Sequence, residues 1–324
     1  MTRARDIANL ISGPVSSDRD NATPLIINGD MAIWQRGTAL SSNPGNYACD
    51  RFWYSGTGMT SQRSTDVPSG FVYSNKLTYG SADMSIGQPI ELPATGKQGI
   101  FIAGQTLTIA FYGKVDSGTE AINVVINARN SKFSGTDSTA FSTSDSAVTL
   151  TTAWQRFTKT FTIPTINANN VMLAFELAQI SKTAYITGVQ AEIGTFDDNN
   201  IPDFQFEDRE TSLARCQRYC YQEDNSDTFH NQVNGFYSAT TLFIGLLALP
   251  VALRSTPTLV TSGSYVCAGT SGLSASSLII ADSTGTDLTK IQIRATVSGA
   301  TAGQGTVLRN NDDAAAIFRL DSEL

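Results

Sequence analysis

Residues 105–112 read QTLTIAFY and residues 120–128 read EAINVVINA, and these two runs decide the fold class. Apolar and polar residues alternate in both runs, and β-branched and aromatic residues are frequent, which is typical of half-buried β-strands. Similar runs recur at 171–177 and 184–193, with breaks rich in Gly, Ser, Asn and Asp between them. So many strands over about 170 residues predict a two-sheet jelly-roll β-sandwich over residues 24–197.

The N-terminal residues 1–23 are predicted to form an anchor and a linker. TRARDIANLI at 2–11 carries a short helical stripe of Ile7, Leu10 and Ile11, and a polar linker follows it. A segment this short does not bury its own apolar stripe, because isolated helices below about 12–15 residues are marginal. We therefore expect these side chains to dock on another chain.

The remainder of the chain is predicted to be a connector with a helix, followed by more β-structure. Residues 198–228 form an acidic connector, and RETSLARCQRYCYQ at 209–222 has the one strong helical pattern in the chain. Residues 229–324 predict a second, smaller β-sandwich domain. Within it the apolar run at 242–253 is interpreted as two buried strands that meet at a turn. The fold class is therefore all-β, with one connecting helix and a short N-terminal helix.

Net charge and the length of the apolar runs argue against nucleic acid and the membrane as partners. The formal net charge of the 324-residue chain is -7, so nucleic acid is not an expected partner, because binding phosphates requires a basic surface. No apolar run reaches the roughly 20 residues that a membrane helix needs, and we expect no membrane insertion. The four cysteines form no disulfide pattern, which fits a protein made in a reducing cytoplasm.

Two segments together resemble a class of tailed-phage structural proteins. One is LIINGDMAIWQRG at 25–37 with YACDRFWY at 47–54, and the other is the stretch from YITGVQAEIG to ARCQRYCYQ at 185–222. The jelly roll of that class resembles carbohydrate-binding modules. LPVALRSTPTLV at 249–260 resembles the β-module that often follows it, and TRARDIANL at 2–10 is similar to the start of tail-fibre chains.

The resemblance implies a bacteriophage virion protein, most simply a tail-fibre or fibre-type structural protein for host attachment. It implies a homotrimer that joins other virion proteins through its N-terminus and binds host surface glycan. Jelly rolls of this type also often hold a structural calcium between their first and last strands. Asp30 and Glu192 would be its carboxylates here, although calcium takes 6–8 oxygen ligands and two residues are few. No other cofactor is expected.

Glycan recognition would need exposed aromatic rings with hydrogen-bonding side chains beside them. A flat ring matches the apolar C–H face of a sugar, and amides bind its hydroxyls. Each candidate has an alternative interpretation as an ordinary core or sheet residue. For Trp34 the core is the favoured interpretation, and Trp154, at the start of a strand, is also expected in the core. The candidate ligand-binding residues are Trp34, Tyr54, Tyr73, Tyr79, Asn75 and Gln88.

The sequence does not predict an enzyme. His230 is the only histidine and lies in a polar stretch without a GxSxG motif, and no GxxxxGK[ST] or HExxH motif occurs. The alternatives to an attachment protein are a purely structural one and an enzyme. The structural alternatives are a capsid-decorating or head-fibre protein and a tail-adaptor or baseplate protein. The enzymatic alternative is a glycan-degrading, tailspike-like protein.

Overall fold

The computed structural model describes residues 23–41, 47–81, 84–93, 99–130, 139–140, 147–166, 172–223, 227–269, 272–281 and 288–323. The chain forms two compact units. The first comprises residues 1–32 and 38–208, and the second comprises residues 33–37 and 209–324. The short stretch Ile33–Gly37, which the sequence places in the jelly roll, thus belongs to the second unit.

Twelve described strands build the first unit. They are β1 Ala39–Ser41, β2 Trp53–Ser55, β3 Thr60–Ser64, β4 Ser74–Thr78, β5 Met84–Glu91, β6 Thr106–Val115, β7 Glu120–Arg129, β8 Thr139–Ala140, β9 Ala147–Leu150, β10 Gln155–Thr162, β11 Met172–Ile180 and β12 Ala184–Ile193. They form two antiparallel sheets, and the all-β sandwich predicted from the sequence is confirmed. The first sheet has the order β1-β3-β4-β12-β6-β10, and the second has the order β2-β5-β11-β7-β8, with β9 also paired to β7.

The core of the first unit lies between the two sheets. Alternation along each strand sends one set of side chains inward, where Ile86, Phe111, Ile126, Phe175 and Ile186 are at most 1% exposed. The other set points outward, so each sheet also has an outer face. Because the strands alternate so regularly, the register of each pair fixes which residues share that face.

Residues 25–31 form a bent segment without a strand, although the predicted jelly roll begins at residue 24. Gly29 O accepts a hydrogen bond from Val189 N at 2.9 Å, so the segment does lie beside β12. The side-chain amide of Gln88 binds both Ile27 N (2.8 Å) and Ile27 O (2.7 Å). These side-chain bonds replace the ladder that a neighbouring strand would have supplied.

The second unit contains one described helix and nine strands. They are α1 Arg209–Gln217, β13 Cys220–Gln222, β14 Asn231–Ala239, β15 Leu242–Ala248, β16 Thr258–Ser262, β17 Tyr265–Cys267, β18 Leu273–Ile280, β19 Lys290–Thr296, β20 Gly305–Asn310 and β21 Ile317–Asp321. Six of these strands close into a barrel in the order β14-β15-β19-β18-β17-β20, and β13-β21-β16 form a three-stranded sheet. A closed barrel thus stands where the sequence predicts a second sandwich. Val233, Phe243, Cys267, Ile293 and Leu308 fill its core.

Two elements of the second unit differ from their predictions. The helix expected over 209–222 ends at Gln217, because Cys220–Gln222 pairs with β21 instead of continuing the helical turn. The run at 242–253 contains one strand, β15, and not two. Alternate residues of β15 point outward, and Leu246 is 54% exposed.

Three further predictions concern the N-terminal anchor, the cysteines and membrane insertion. Ile7, Leu10 and Ile11 of the predicted anchor lie outside the described residues. All four cysteines are free and buried. In the part of the chain that the structure describes, no helix has the length and apolar character needed to cross a membrane.

Candidate functional site

Three of the six residues predicted to bind a ligand lie inside the sandwich. Tyr54 is 0% exposed and leaves no ring face for a sugar. Asn75 is also fully buried and accepts a hydrogen bond from Ser61 Oγ at 2.8 Å. Gln88 is 1% exposed, and its amide holds the backbone of Ile27. The structure therefore gives these three residues roles in packing and in backbone hydrogen bonding.

The other three candidates are aromatic residues that differ in exposure. Trp34 is 9% exposed and lies in the stretch that belongs to the second unit. Tyr73 is half-buried, and the guanidinium of Arg63 lies 4.5 Å from its ring centroid. Tyr79 is 37% exposed near the end of β4. Tyr73 and Tyr79 belong to the first unit.

The two predicted metal ligands do not gather a metal site from side chains. Burial raises the pKa of Asp30, and the nearby Glu207 carboxylate raises it further, against backbone hydrogen bonds that lower it. Glu192 lies half-buried on β12. Among the described residues no group of three or more His, Cys, Asp or Glu side chains could hold a metal ion. Calcium also takes oxygen ligands from backbone carbonyls, amides and water, so the calcium site that the resemblance implies stays a prediction.

The outer face of the second sheet carries a group of polar side chains that we call the polar face: Asn123, Asn127, Arg129, Glu176 and Gln179. The register Glu176↔Val125, Ala174↔Asn127 and Met172↔Arg129 places β11 and β7 side by side there. A bulge between Leu177 and Ile180 interrupts β11, and Gln179 adopts a left-handed φ of 63° within it. The side-chain amide oxygen Oε1 of Gln179 accepts a hydrogen bond from Asn123 Nδ2 at 2.6 Å.

An ion pair runs along the polar face. Arg129 and Glu176 are four positions apart in the register, and their side chains meet at 3.0 Å, with Ala174 between them in β11. The two side chains are 16% and 13% exposed. Burial raises the pKa of the Glu176 carboxyl above its ordinary value, and the Arg129 charge and hydrogen bond oppose that rise only in part. The face therefore holds a charge pair that is largely withdrawn from water.

Small residues form the middle of the same sheet. Gly87 pairs with Glu176, and Ala174 and Ala178 are the outward residues of β11 on either side of it. Gly87 has no alternative here, because a Cβ atom on it would lie 1.9 Å from Phe175 O. Gly87 and Ala174 are both buried, so the middle of this face is covered. Asn123, Asn127 and Gln179 are the members of the polar face that keep solvent exposure beside the partly exposed ion pair.

The outer face of the first sheet carries a different group, which we call the aromatic row: Lys76, Tyr185, Lys114 and Trp154. Tyr185 pairs with Lys76 on β4 and with Lys114 on β6. The Lys114 ammonium lies 4.8 Å from the Tyr185 ring centroid and 5.6 Å from that of Trp154. Trp154, expected in the core, is half-exposed on this outer face.

A loop between β3 and β4 fastens one end of the aromatic row. Asp66 accepts a hydrogen bond from Trp154 Nε1 at 2.9 Å and forms an ion pair with Lys114. Further along the loop, Phe71 packs against Tyr112 with ring centroids 5.3 Å apart. It also contacts Phe206, which is 52% exposed. The loop thus covers part of the outer face and leaves Lys76 and Tyr185 at its open end.

Comparison with known proteins identifies structural neighbours only. No family model matches the chain, and no curated protein matches it. Solved structures do resemble it, and we describe three. The first is the CBM22-1–CBM22-2 tandem of Xyn10C from Paenibacillus barcinonensis, at 11% identity and TM-score 0.33, covering 87% of this chain and 95% of that one. The second is a CBM4 structure, at 23% identity and TM-score 0.31, covering 51% and 97%. The third is the enzymatically active domain of tailspike protein 4 from bacteriophage CBA120, at 15% identity and TM-score 0.31, covering 52% and 21%. Similarities this weak assign no function, so function has to be inferred from the residues on the two outer faces.

Sequence reasoning missed the residues that these faces bring together. The aromatic candidates predicted from the sequence lie near the start of the jelly roll, whereas Arg129 and Glu176 lie on β7 and β11. A signal was available, because Asn123, Asn127 and Arg129 occupy alternate positions of one strand and must share a face. Their partner across the sheet depends on register, which the sequence does not state.

Proposed function

We propose that this chain is a non-enzymatic glycan-binding component of a phage virion, and that the polar face of its first unit binds the glycan. The observation that carries the proposal is the Arg129–Glu176 pair with its neighbouring amides on an outward sheet surface. Guanidinium, carboxylate and amide groups are planar and bind vicinal hydroxyls through paired hydrogen bonds. Ala178 and Val125, which are partly exposed, would face the apolar C–H groups of the sugar.

The assigned role of Glu176 is to accept hydrogen bonds from hydroxyl groups. Its close charged partner is a guanidinium and not a second carboxylate, and hydrolysis of a glycosidic bond by the usual mechanism uses a pair of carboxyl groups. We therefore propose binding without cleavage. The tailspike-like enzyme remains the alternative that release of reducing sugar from a bound polysaccharide would support.

The virion location and the attachment role in the proposal rest on the sequence resemblance of residues 25–37 and 185–222 to tailed-phage proteins. A tail fibre or fibre-type protein would present many copies of a weak glycan site, and multivalency raises the overall strength of attachment. The alternatives are a head-fibre or capsid-decorating protein and a tail-adaptor or baseplate protein. Immunogold labelling of the virion with an antibody to the barrel distinguishes these positions.

The proposal includes a homotrimer. An apolar row on the outside of the barrel supports it, since Phe236 pairs with Ile244, and Ile244 and Ile279 both pair with Arg294. Phe236 and Ile279 are 46% and 54% exposed. Large apolar side chains with a central arginine are frequent in protein interfaces. Light scattering on the full chain should give three times the chain mass, and Ile279→Asp should lower it; a monomeric full chain would contradict this part.

A glycan array probed with the full chain tests the binding function. Arg129→Met should abolish or greatly reduce the signal on the glycans that the wild type binds, because Glu176 then loses the donor that orients it. Arg63→Met is the matched control, since it removes the same group from the same unit at Tyr73, away from both outer faces. Loss in the control and not in Arg129→Met would move the site to Tyr73. Absence of any glycan signal for the correctly folded wild type would refute glycan binding.

A further inference from the structure

The aromatic row on the first sheet has an unbalanced charge. Lys76 and Lys114 flank the same tyrosine, one on each neighbouring strand. Lys114 is neutralised by Asp66, but Lys76 has no carboxylate within ion-pair distance among the described residues. The Lys76 ammonium instead lies over the ring of Tyr185, 5.8 Å from the ring centroid. The uncompensated ammonium of Lys76 would favour a negatively charged ligand there.

The ring between the two lysines is available from solvent. Tyr185 is half-buried, and its hydroxyl has no hydrogen-bond partner in the described part of the chain. Trp154 closes the row at one side, with its ring centroid 6.4 Å from that of Tyr185 at an interplanar angle of 71°. At the other side Gln62 lies opposite Lys76 and is exposed. One open surface thus offers an aromatic ring, an amide and an unpaired ammonium.

We propose that this aromatic row is a second glycan site, and that it selects a sugar that carries a carboxylate. The sugar ring would stack on Tyr185, the carboxylate would pair with the Lys76 ammonium, and Gln62 would bind a hydroxyl. The inference rests on the proposed glycan-binding function for the type of ligand only, because it concerns a different face of the sandwich. It adds a selectivity for acidic sugars that the Arg129–Glu176 pair, which is already neutralised, does not provide.

The test uses the full chain and two forms of one polymer. Polygalacturonate supplies a carboxylate on every sugar, and its carboxyl-reduced form keeps the sugar backbone without the charge. We expect the wild type to bind polygalacturonate at least about tenfold more tightly than the reduced form, as one ion pair worth about 1.4 kcal/mol would give. Lys76→Gln should remove that preference, and the affinity for polygalacturonate should fall with rising salt.

Two further variants separate this site from the polar face and from general charge effects. Tyr185→Leu should weaken binding of polygalacturonate, whereas Tyr185→Phe, which keeps the ring, should retain it. Lys290→Gln removes one exposed positive charge from the barrel and should leave the preference unchanged. Arg129→Met should spare the preference, so its effect on neutral glycans reports on the proposed function alone. Equal binding of the two polymers, or an unchanged preference in Lys76→Gln, would overturn the inference.

Discussion

The two outer faces of the sandwich come from the same alternation of residues, yet they differ in what they leave available. The second sheet pairs its charges within the protein, as Arg129 and Glu176 lie 3.0 Å apart and are both largely buried. On the first sheet, lysine ammonium groups lie over the aromatic rings, and the charge of Lys76 has no carboxylate partner among the described residues. A paired, desolvated face suits neutral hydroxyl groups, whereas an unpaired ammonium beside a ring suits an acidic sugar.

The largest effect is expected where the second sheet has no space for a side chain. In Gly87→Ala the new Cβ atom would meet Phe175 O at 1.9 Å, so β5 and β11 must separate locally. We expect a loss of stability of about 2–4 kcal/mol in the first unit, together with loss of glycan binding at the polar face. Denaturant unfolding of the full chain measures the loss. Gly305→Ala is the control, because its Cβ atom would meet only Gly235 O at 3.9 Å, and it should change stability by less than about 1 kcal/mol.

The next prediction contrasts an inward amide with an outward one. Gln88→Leu leaves Ile27 N and Ile27 O without their partners in a partly buried place, and should cost about 2–3 kcal/mol. Its glycan affinity per folded molecule should stay as in the wild type. Asn123→Leu should do the opposite, with stability nearly unchanged and glycan binding weakened, since its amide lies on the polar face. Weakened binding in Gln88→Leu at full folding would return Gln88 to the ligand candidates.

The contrast between these two amides also shows what the sequence predicts well. Alternation in EAINVVINA establishes the strand β7 and the side on which Asn123 lies, and the sandwich follows from many such strands. It does not reveal that the polar side chain of Gln88 points inward, where it binds the backbone of Ile27 in the bent segment. Nor does it reveal that β13 ends the helix early by pairing with β21. These features depend on contacts between residues far apart in the chain, which local propensity does not encode.

A smaller effect should appear in the pH dependence of the polar face. The pKa of Glu176 is raised in the folded state above the ordinary value of 4.5, mainly by burial. In the window just above 4.5 the folded state therefore binds more protons than the unfolded state, and stability falls as the pH rises through it. The change should be under about 1 kcal/mol, because the group is partly solvated. Glu176→Gln should lack this slope in unfolding curves measured across the window, and an equal slope in both proteins would contradict the prediction.

The smallest effect is expected at the fastened end of the aromatic row. Burial alone would raise the pKa of Asp66, but hydrogen bonds from Lys114 and Trp154 hold it below the ordinary value of 3.8. Asp66 is mostly exposed, so its stabilising contribution is well under about 1 kcal/mol, is present above pH 3.8, and is lost as the pH falls through the lower folded value. Trp154→Phe keeps a ring beside Lys114 and removes the indole donor that lies 2.9 Å from Asp66. The pKa of Asp66, followed by NMR titration, should then move up toward 3.8, whereas Tyr185→Phe should leave it in place. An Asp66 pKa that is the same in Trp154→Phe and in the wild type would contradict this prediction. Lys114 alone would then hold the loop, and Trp154 would contribute its ring to the aromatic row but no hydrogen bond to Asp66.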